Sequence, residues 1–415
     1  MSAMERVAAS MGLQAQLSNE SLRPPLCWRL SVGASPPALT GISGSTERER
    51  IDRNLRAIDW NISTMGLNYI DYNSPFWVFQ YLYVFYDSLS FGDRISYVLM
   101  GIQKIYYPLL AAVGVTVNLL TIVILSRGKC GLSKCVTRYL VSMAAADLLV
   151  VIIDLILRQF PVAYSRQFEF LKSIPVCNIH AVLLFAATDC SVWFTVTFTF
   201  DRFVAICCQK LKTKYCTERT AAVVLGIVTV LSCLKNTFWY FMFSGEYLLM
   251  NQPWFCDTPW QVLFSPVWAA IELLHYILTP GVPFVLILLL NAFTVRYILV
   301  ASRARRRLRA HSSGESPRDP EMESRRKSII LLFVISGNFI LLWVVLMVDS
   351  IWNRMVWFEY VSGFTPAFIQ ELGFMLQLLS CCTNTCIYAV TQTKFREQLK
   401  NVVKYPFTLI IKFIK

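Results

Sequence analysis

The sequence predicts an all-α membrane protein built as a seven-transmembrane helix bundle, and three observations carry that expectation. The chain is 55% hydrophobic with 16% charged residues, whereas soluble domains carry about 25% charged residues. Its mean hydropathy is +0.50. Seven windows of roughly 20 apolar residues, the length that crosses ~30 Å of hydrocarbon, fall at about 106–126, 139–160, 176–207, 221–243, 268–301, 328–352 and 364–390. Several contain Gly or Pro, which helices in lipid tolerate. The ~10-residue alternating segments of a transmembrane barrel are absent.

Ahead of the first window, residues 1–60 are rich in Ser, Pro and Arg with little periodicity and read as disordered. No charged-then-apolar signal peptide opens the sequence, so the first transmembrane segment is expected to act as the targeting signal. Asn19 and Asn61 each begin a glycosylation sequon, a pattern short enough to occur often by chance. Residues 75–107 carry Phe76, Trp77, Phe79, Tyr81, Tyr83, Phe85 and Tyr86 together with Asp87, Asp93 and Arg94. That mixture suits an interfacial cap better than an eighth span.

The formal net charge of +13 is unevenly placed. With the amino end outside, the cytoplasmic stretches 126–138, 201–220, 302–328 and 391–415 hold 24 Lys and Arg, against four in the outer loops 158–174, 244–265 and 350–366. The positive-inside rule selects this orientation. A basic nucleic-acid surface would need stacking or base-reading groups beside the charge, and none stands out. Most of the 13 cysteines lie in apolar spans or cytoplasmic loops, where thiols stay reduced. Only Cys27, Cys177 and Cys256 fall outside, and spacing alone leaves open whether any two are bridged.

Ionisable groups at membrane depth are costly and mark function by default. Asp147 lies mid-second segment, with Asn118 on the first, Ser191 on the third, and Ser380 and Asn384 on the seventh. The third segment ends in Asp201-Arg202-Phe203, and Cys177 lies 25 residues earlier. At 1.5 Å per residue that is about one bilayer thickness, so one helix carries a cysteine at one face and an arginine at the other. Further polar groups mark the outer half: Asp154 and Arg158, Glu272 and His275, Glu371 and Gln377. On the third helix Ala181, Leu184, Phe185, Thr188 and Asp189 step along one face. Asp154, Arg158 and Glu371 either serve a ligand or pair with one another.

The pairing of Cys177 with Asp201-Arg202-Phe203 resembles the third helix of rhodopsin-like G-protein-coupled receptors, whose motif is Asp-Arg-Tyr. Leu342-Trp343, with Phe339 four residues earlier, is similar to the family's Cys-Trp-x-Pro, and Asn384-Thr385-Cys386-Ile387-Tyr388 to its Asn-Pro-x-x-Tyr. Val345 and Thr385 stand where prolines are usual, so a bend in the sixth helix is expected from elsewhere, such as Gly337. Pro283 matches the usual proline of the fifth helix. Lys394-Phe395-Arg396 and the stretch to about Val403 resemble a short amphipathic eighth helix on the inner leaflet. Cys130-Gly-Leu-Ser-Lys-Cys135, Thr188-Asp-Cys-Ser-Val-Trp-Phe-Thr195 and Asp319-Pro-Glu-Met-Glu-Ser-Arg-Arg-Lys327 are similar to the branch named probable G-protein coupled receptor 139, in its fish-type members. The resemblance covers about residues 103–415.

This resemblance implies a plasma-membrane receptor with its N-terminus outside, a heterotrimeric G protein as cytoplasmic partner and membrane lipid around it. It implies an extracellular small-molecule or peptide ligand, with aromatic amino acids and the Gq class suggested by the branch. The branch has an acidic residue on the third helix where this chain has Leu184, so the ligand does not carry over directly. The implied roles are G-protein coupling for Asp201, Arg202 and Phe203, and switching for Phe339, Trp343, Asn384 and Tyr388. Asn118, Asp147, Ser191, Ser380 and Asn384 would form a polar network able to hold a sodium ion, the one bound group expected. The ligand pocket would draw on Asp154, Arg158, Leu184, Phe185, Thr188, Asp189 and Glu371, and Cys177 would be bridged to Cys256. The organisation expected is an extracellular tail over 1–103, a receptor domain over 104–391 and a cytoplasmic helix and tail over 392–415. Counting five turns back from Trp343 reaches Arg325, flanked by Arg326 and Lys327, where many family members hold an acid that clasps the third-helix arginine.

The competing expectation is a transporter or channel. Transporters show internal repeats and broken helices in both halves, and channels a filter or charged pore ring; the sequence shows neither. His180, His275 and His311 fit no metal-ligand spacing, and no nucleophile–base constellation points to an enzyme.

Overall fold

A computed structural model describes residues 77–159, 174–241, 265–309 and 320–414. The described residues are helical throughout, with short turns and no strand. Among the described residues, seven helices are long and apolar enough to cross a membrane. We label them α1 (Phe91–Ser126), α2 (Lys134–Val150, continued by Val151–Gln159), α3 (Ile174–Cys207) and α4 (Glu218–Lys235, continued by Asn236–Phe241). α5 comprises Pro266–Tyr276, Ile277–Gly281 and Val282–Arg309; α6 is Pro320–Trp357, α7 Ala367–Thr391 and α8 Thr393–Ile414. The chain divides into two compact units, residues 1–101 with 250–252, and 102–249 with 253–415.

In the first unit a short helix, Trp77–Val84, precedes a tight turn and the start of α1. At eight residues it is far too short to span a bilayer. Tyr81 packs on Phe85 and Tyr97 with ring centroids 4.7 and 4.9 Å apart, and the Arg94 guanidinium lies 4.1 Å from the centre of the Tyr86 ring. α1 begins about 15 residues earlier than its apolar window. The window missed Phe91–Ile105 because Asp93, Arg94, Gln103 and Lys104 lower its hydropathy without breaking the helix.

In the second unit α3 touches α2, α4, α5 and α6 and so occupies the centre. Gly373 sets the approach of α6 and α7: a Cβ there would lie 3.0 Å from the Leu346 backbone, tighter than nearly all real Cβ contacts. Caps are conventional, with Ser133, Thr217 and Ser265 accepting from backbone N–H groups at the starts of α2, α4 and α5. Lipid-facing positions such as Leu109, Val230, Leu234, Val285 and Leu341 stay exposed, as expected where hydrocarbon replaces water. α6 runs unbroken through Gly337. The fifth helix does break, but at Thr279, whose φ of −150° and ψ of 107° are extended. The residue before a proline is pushed out of the helical region, and Pro280 follows; Pro283 lies within regular helix. α8 continues to Ile414 rather than stopping near Val403, because apolar residues keep a three-to-four-residue spacing from Phe395 to Ile414.

Candidate functional site

At the centre of the bundle Asp147 is 1% exposed. A buried carboxylate demands donors, and two helices supply them. Ser191 Oγ of α3 donates to Oδ1 at 2.6 Å, and Asn384 Nδ2 of α7 donates to Oδ2 at 2.7 Å. Three of the five expected network residues thus meet. Ser380 does not contact Asp147; its hydroxyl accepts from Trp343 Nε1 at 3.0 Å, tying α7 to the aromatic group of α6. Asn118 instead staples α1 to α7, donating to the carbonyls of Gly114 and Cys381 at 3.0 Å each. Its side-chain oxygen is buried without a partner. Thr385, where a proline was expected, bonds Thr121 Oγ1 at 2.7 Å and the Val117 carbonyl at 3.0 Å. These bonds hold α7 to α1, within a continuous helix.

Phe339 and Trp343 lie in contact, ring centroids 5.5 Å apart, within a buried cluster with Val192, Val196 and Ile287. Tyr388 is buried and packs edge-on against Phe395 of α8, centroids 5.9 Å apart. The end of α7 is thus linked mechanically to the start of α8.

At the far end of α3 Asp201 is fully buried and Arg202 nearly so. Arg202 Nε donates to Asp201 Oδ2 at 2.9 Å, and a second guanidinium nitrogen pairs with the same oxygen. Phe198 lies beneath the guanidinium, 5.9 Å from its carbon, and Phe203 is partly exposed beside Phe200. The contact from α6 is Ser328, whose hydroxyl accepts from Arg202 at 3.4 Å. Arg325, reached by counting turns from Trp343, lies three residues before Ser328, and its side chain lies outside those described. Among the described side chains of α6, the partner is a neutral hydroxyl. Around this group Arg138 and Lys134 of α2 pair with Glu218 of α4, an exposed arrangement worth little energetically.

The expected ligand-pocket residues separate into two groups. On the α1–α2–α7 side Arg158 Nε pairs with Asp154 Oδ1 at 2.6 Å, and the guanidinium lies 4.8 Å from the Phe374 ring centre. Glu371 accepts from Gln103 at 2.7 Å. Asp154 and Arg158 therefore pair with each other, helped by the wider π-helical turns of Val151–Gln159. On the α3–α4–α5 side Phe185 stacks on Trp239 at 4.0 Å, with His275 edge-on at 5.0 Å. Leu184 is buried and Thr188 half-buried. Asp189 does not join the open face of α3: its Oδ2 is taken by Lys235 Nζ and Asn236 Nδ2 of α4, each at 2.7 Å. Lys235 also donates to Thr279 at 3.1 Å, as does Trp193 at 3.2 Å, so the α5 break is anchored from both α3 and α4. Glu272 pairs with Arg354 across α5 and α6. Lys235 escaped the sequence reading, though a lysine inside an apolar window is the signal applied elsewhere. Cys177, Cys256, Asn19 and Asn61 lie outside the residues whose side chains are described.

The comparisons place this architecture. The profile of the 7 transmembrane receptor (rhodopsin family) matches residues 117–388. The chain belongs to the rhodopsin family of seven-transmembrane receptors, and it is a receptor rather than an enzyme. Among curated relatives it is similar to neuromedin-U receptor 2 of Homo sapiens, at 24% identity over 325 residues covering 75% of this chain and 74% of that protein. The Rattus norvegicus neuromedin-U receptor 2 is 27% identical over 314 residues, covering 72% and 74%. The type-2 angiotensin II receptor of Rattus norvegicus is 22% identical over 318 residues, covering 75% and 81%. The chain is accordingly a multi-pass plasma-membrane protein with an extracellular ligand and a G protein as partners.

Proposed function

We propose that the chain carries binding of an extracellular small molecule or peptide, an aromatic amino acid among the candidates, to a heterotrimeric G protein of the Gq class. The segments Cys130–Cys135, Thr188–Thr195 and Asp319–Lys327 resemble the branch named probable G-protein coupled receptor 139, which suggests the Gq class and the aromatic amino acids. The observation that carries the coupling role is the buried Asp201–Arg202 pair at the basic end of α3. The excess of Lys and Arg on the same side supports an outside N-terminus, with residues 1–103 as tail, 104–391 as receptor domain and 392–415 as cytoplasmic helix. The ligand enters from the opposite end and shifts a pre-existing equilibrium by its differential affinity for the two states. Phe339, Trp343, Asn384 and Tyr388 repack, α6 moves outward, and Arg202 with Phe203 meets the G protein. The polar groups near the outer mouth divide the ligand contacts between the Asp154–Arg158–Glu371 side and the Leu184–Phe185–Thr188 side, with Asp189 beneath the latter. Cys177 bridged to Cys256 ties the outer loop to α3, and Asn19 and Asn61 carry glycans. Nucleotide exchange on co-expressed Gα proteins, read against an amino-acid panel, tests this reading; no response and no basal exchange with any Gα would remove it.

Asp147, Ser191 and Ser380, with Asn118 and Asn384 as neighbours, would hold a sodium ion that favours the resting state. Asp147→Asn should abolish the effect of sodium on agonist-stimulated exchange. An unchanged sodium dependence leaves the network a purely structural one.

The hydroxyl partner on α6 leaves the resting state weakly latched. A carboxylate there would add about 1 kcal/mol, a change of about fivefold in a minor active population. Ser328→Glu should therefore lower agonist-independent exchange at matched surface density. A real basal signal that Ser328→Glu leaves untouched would contradict the weak latch.

A further inference from the structure

Asp201 has two carboxylate oxygens, and Arg202 uses only Oδ2. In a site with no exposure the other oxygen needs its own donor. That donor comes from another helix: Cys135 Sγ of α2 donates to Asp201 Oδ1 at 3.2 Å. A second thiol, Cys216 in the turn before α4, donates to the Asp201 backbone carbonyl at 3.6 Å. Burial and the neighbouring Asp201 carboxylate push the Cys216 thiol up to about 12, so it stays protonated as a donor at physiological pH. Cys135 is 3% exposed and sits among Tyr139, Phe198 and Leu331 in the cytoplasmic core, where its side chain has little freedom to turn elsewhere.

We propose that Cys135 is a positioning residue of the coupling site: its thiol fixes the Asp201 carboxylate and thereby sets how firmly Asp201 holds Arg202 in the resting state. This rests on the reading of Arg202 as the coupling residue and specifies its regulation. The chemistry gives the direction. A carboxylate gripped at both oxygens is fixed in plane, with Oδ2 aimed at the guanidinium. A thiol is a weak donor, so this grip is looser than a hydroxyl would make it. Together with the neutral Ser328 hydroxyl, it makes the whole latch depend on soft contacts. Removing the thiol leaves Oδ1 buried without a partner, which disfavours the resting arrangement. A hydroxyl in its place is the stronger donor and tightens the grip once the two groups close by under ~1 Å to the ~2.7 Å of an O–H···O bond.

The test compares agonist-independent nucleotide exchange per receptor, at matched surface density, in the full-length chain. Cys135→Ala should raise basal exchange about threefold, while Cys135→Ser should bring it below the wild-type level. The two effects should vanish in an Asp201→Asn background, because they act through that carboxylate. Volume loss alone would not be reversed by serine and would not depend on Asp201. If the alanine variant fails to reach the surface, the serine variant still decides, since lowered basal exchange is expected of it. Basal exchange in Cys135→Ser at or above that of Cys135→Ala, or effects that persist with Asp201→Asn, would overturn the assignment. Should Arg202→Ala itself leave exchange intact, the coupling reading falls first; if Arg202→Ala abolishes exchange and the Cys135 variants match wild type, only the positioning role falls.

Discussion

Arg202→Ala is expected to reduce both basal and agonist-driven exchange to the level of cells without the receptor, while agonist affinity changes little. The guanidinium sits about 25–30 Å of helix away from the outer mouth, so it cannot touch a ligand there. Its loss removes the group that leaves Asp201 to face the G protein. Cys135 still donates to Asp201 Oδ1, so the orphaned carboxylate keeps one partner, and comparison at equal surface number separates coupling from yield. Arg202→Lys keeps the charge but not the planar fork that bonds Asp201 and Ser328 together, and should retain only part of the exchange. Wild-type exchange from an equally expressed alanine variant would show that Arg202 is structural.

The second large effect is expected on stability, at Lys235. Asp189 is 1% exposed, and Lys235 is its only cationic partner among the described residues. Removing one member of such a pair costs about 3–5 kcal/mol because the other charge stays buried and unpaired. The Lys235 side chain keeps 24% exposure, which places the cost at about 3 kcal/mol, the lower end of that range. Lys235→Met should lower the thermal midpoint of the detergent-purified receptor and its surface yield. The double variant Asp189→Leu/Lys235→Met should recover most of both, since replacing a whole ion pair by apolar groups is near neutral. A single variant as stable as wild type, or a double variant worse than the single, would show that the pair is not coupled in this way.

Much of this architecture was legible because lipid imposes a simple rule: an apolar helix about one bilayer long. The seven spans follow from window length, a one-dimensional quantity, while the grouping of Asp147 with Ser191 and Asn384 comes from the family resemblance, and the structure joins those three. Pairing is what a one-dimensional reading misses. The resemblance groups Ser380 with Asp147, whereas Ser380 faces Trp343. Asp189 was assigned to the open face of α3, though Lys235 on α4 claims it. The early start of α1 was hidden because a few charges on one face of a helix lower a window average without interrupting the helix. Cys135 carried no signal at all; a buried thiol becomes informative only once its distance to a carboxylate is known.

The account stands or falls on coupling, and the most direct measurement is guanine-nucleotide exchange on purified heterotrimeric G protein by the full-length chain in lipid nanodiscs. Exchange faster than with empty nanodiscs, raised by Cys135→Ala, lowered by Ser328→Glu and absent with Arg202→Ala, is the expected result. No acceleration with any Gα class, or acceleration equal in wild type and Arg202→Ala, would contradict it.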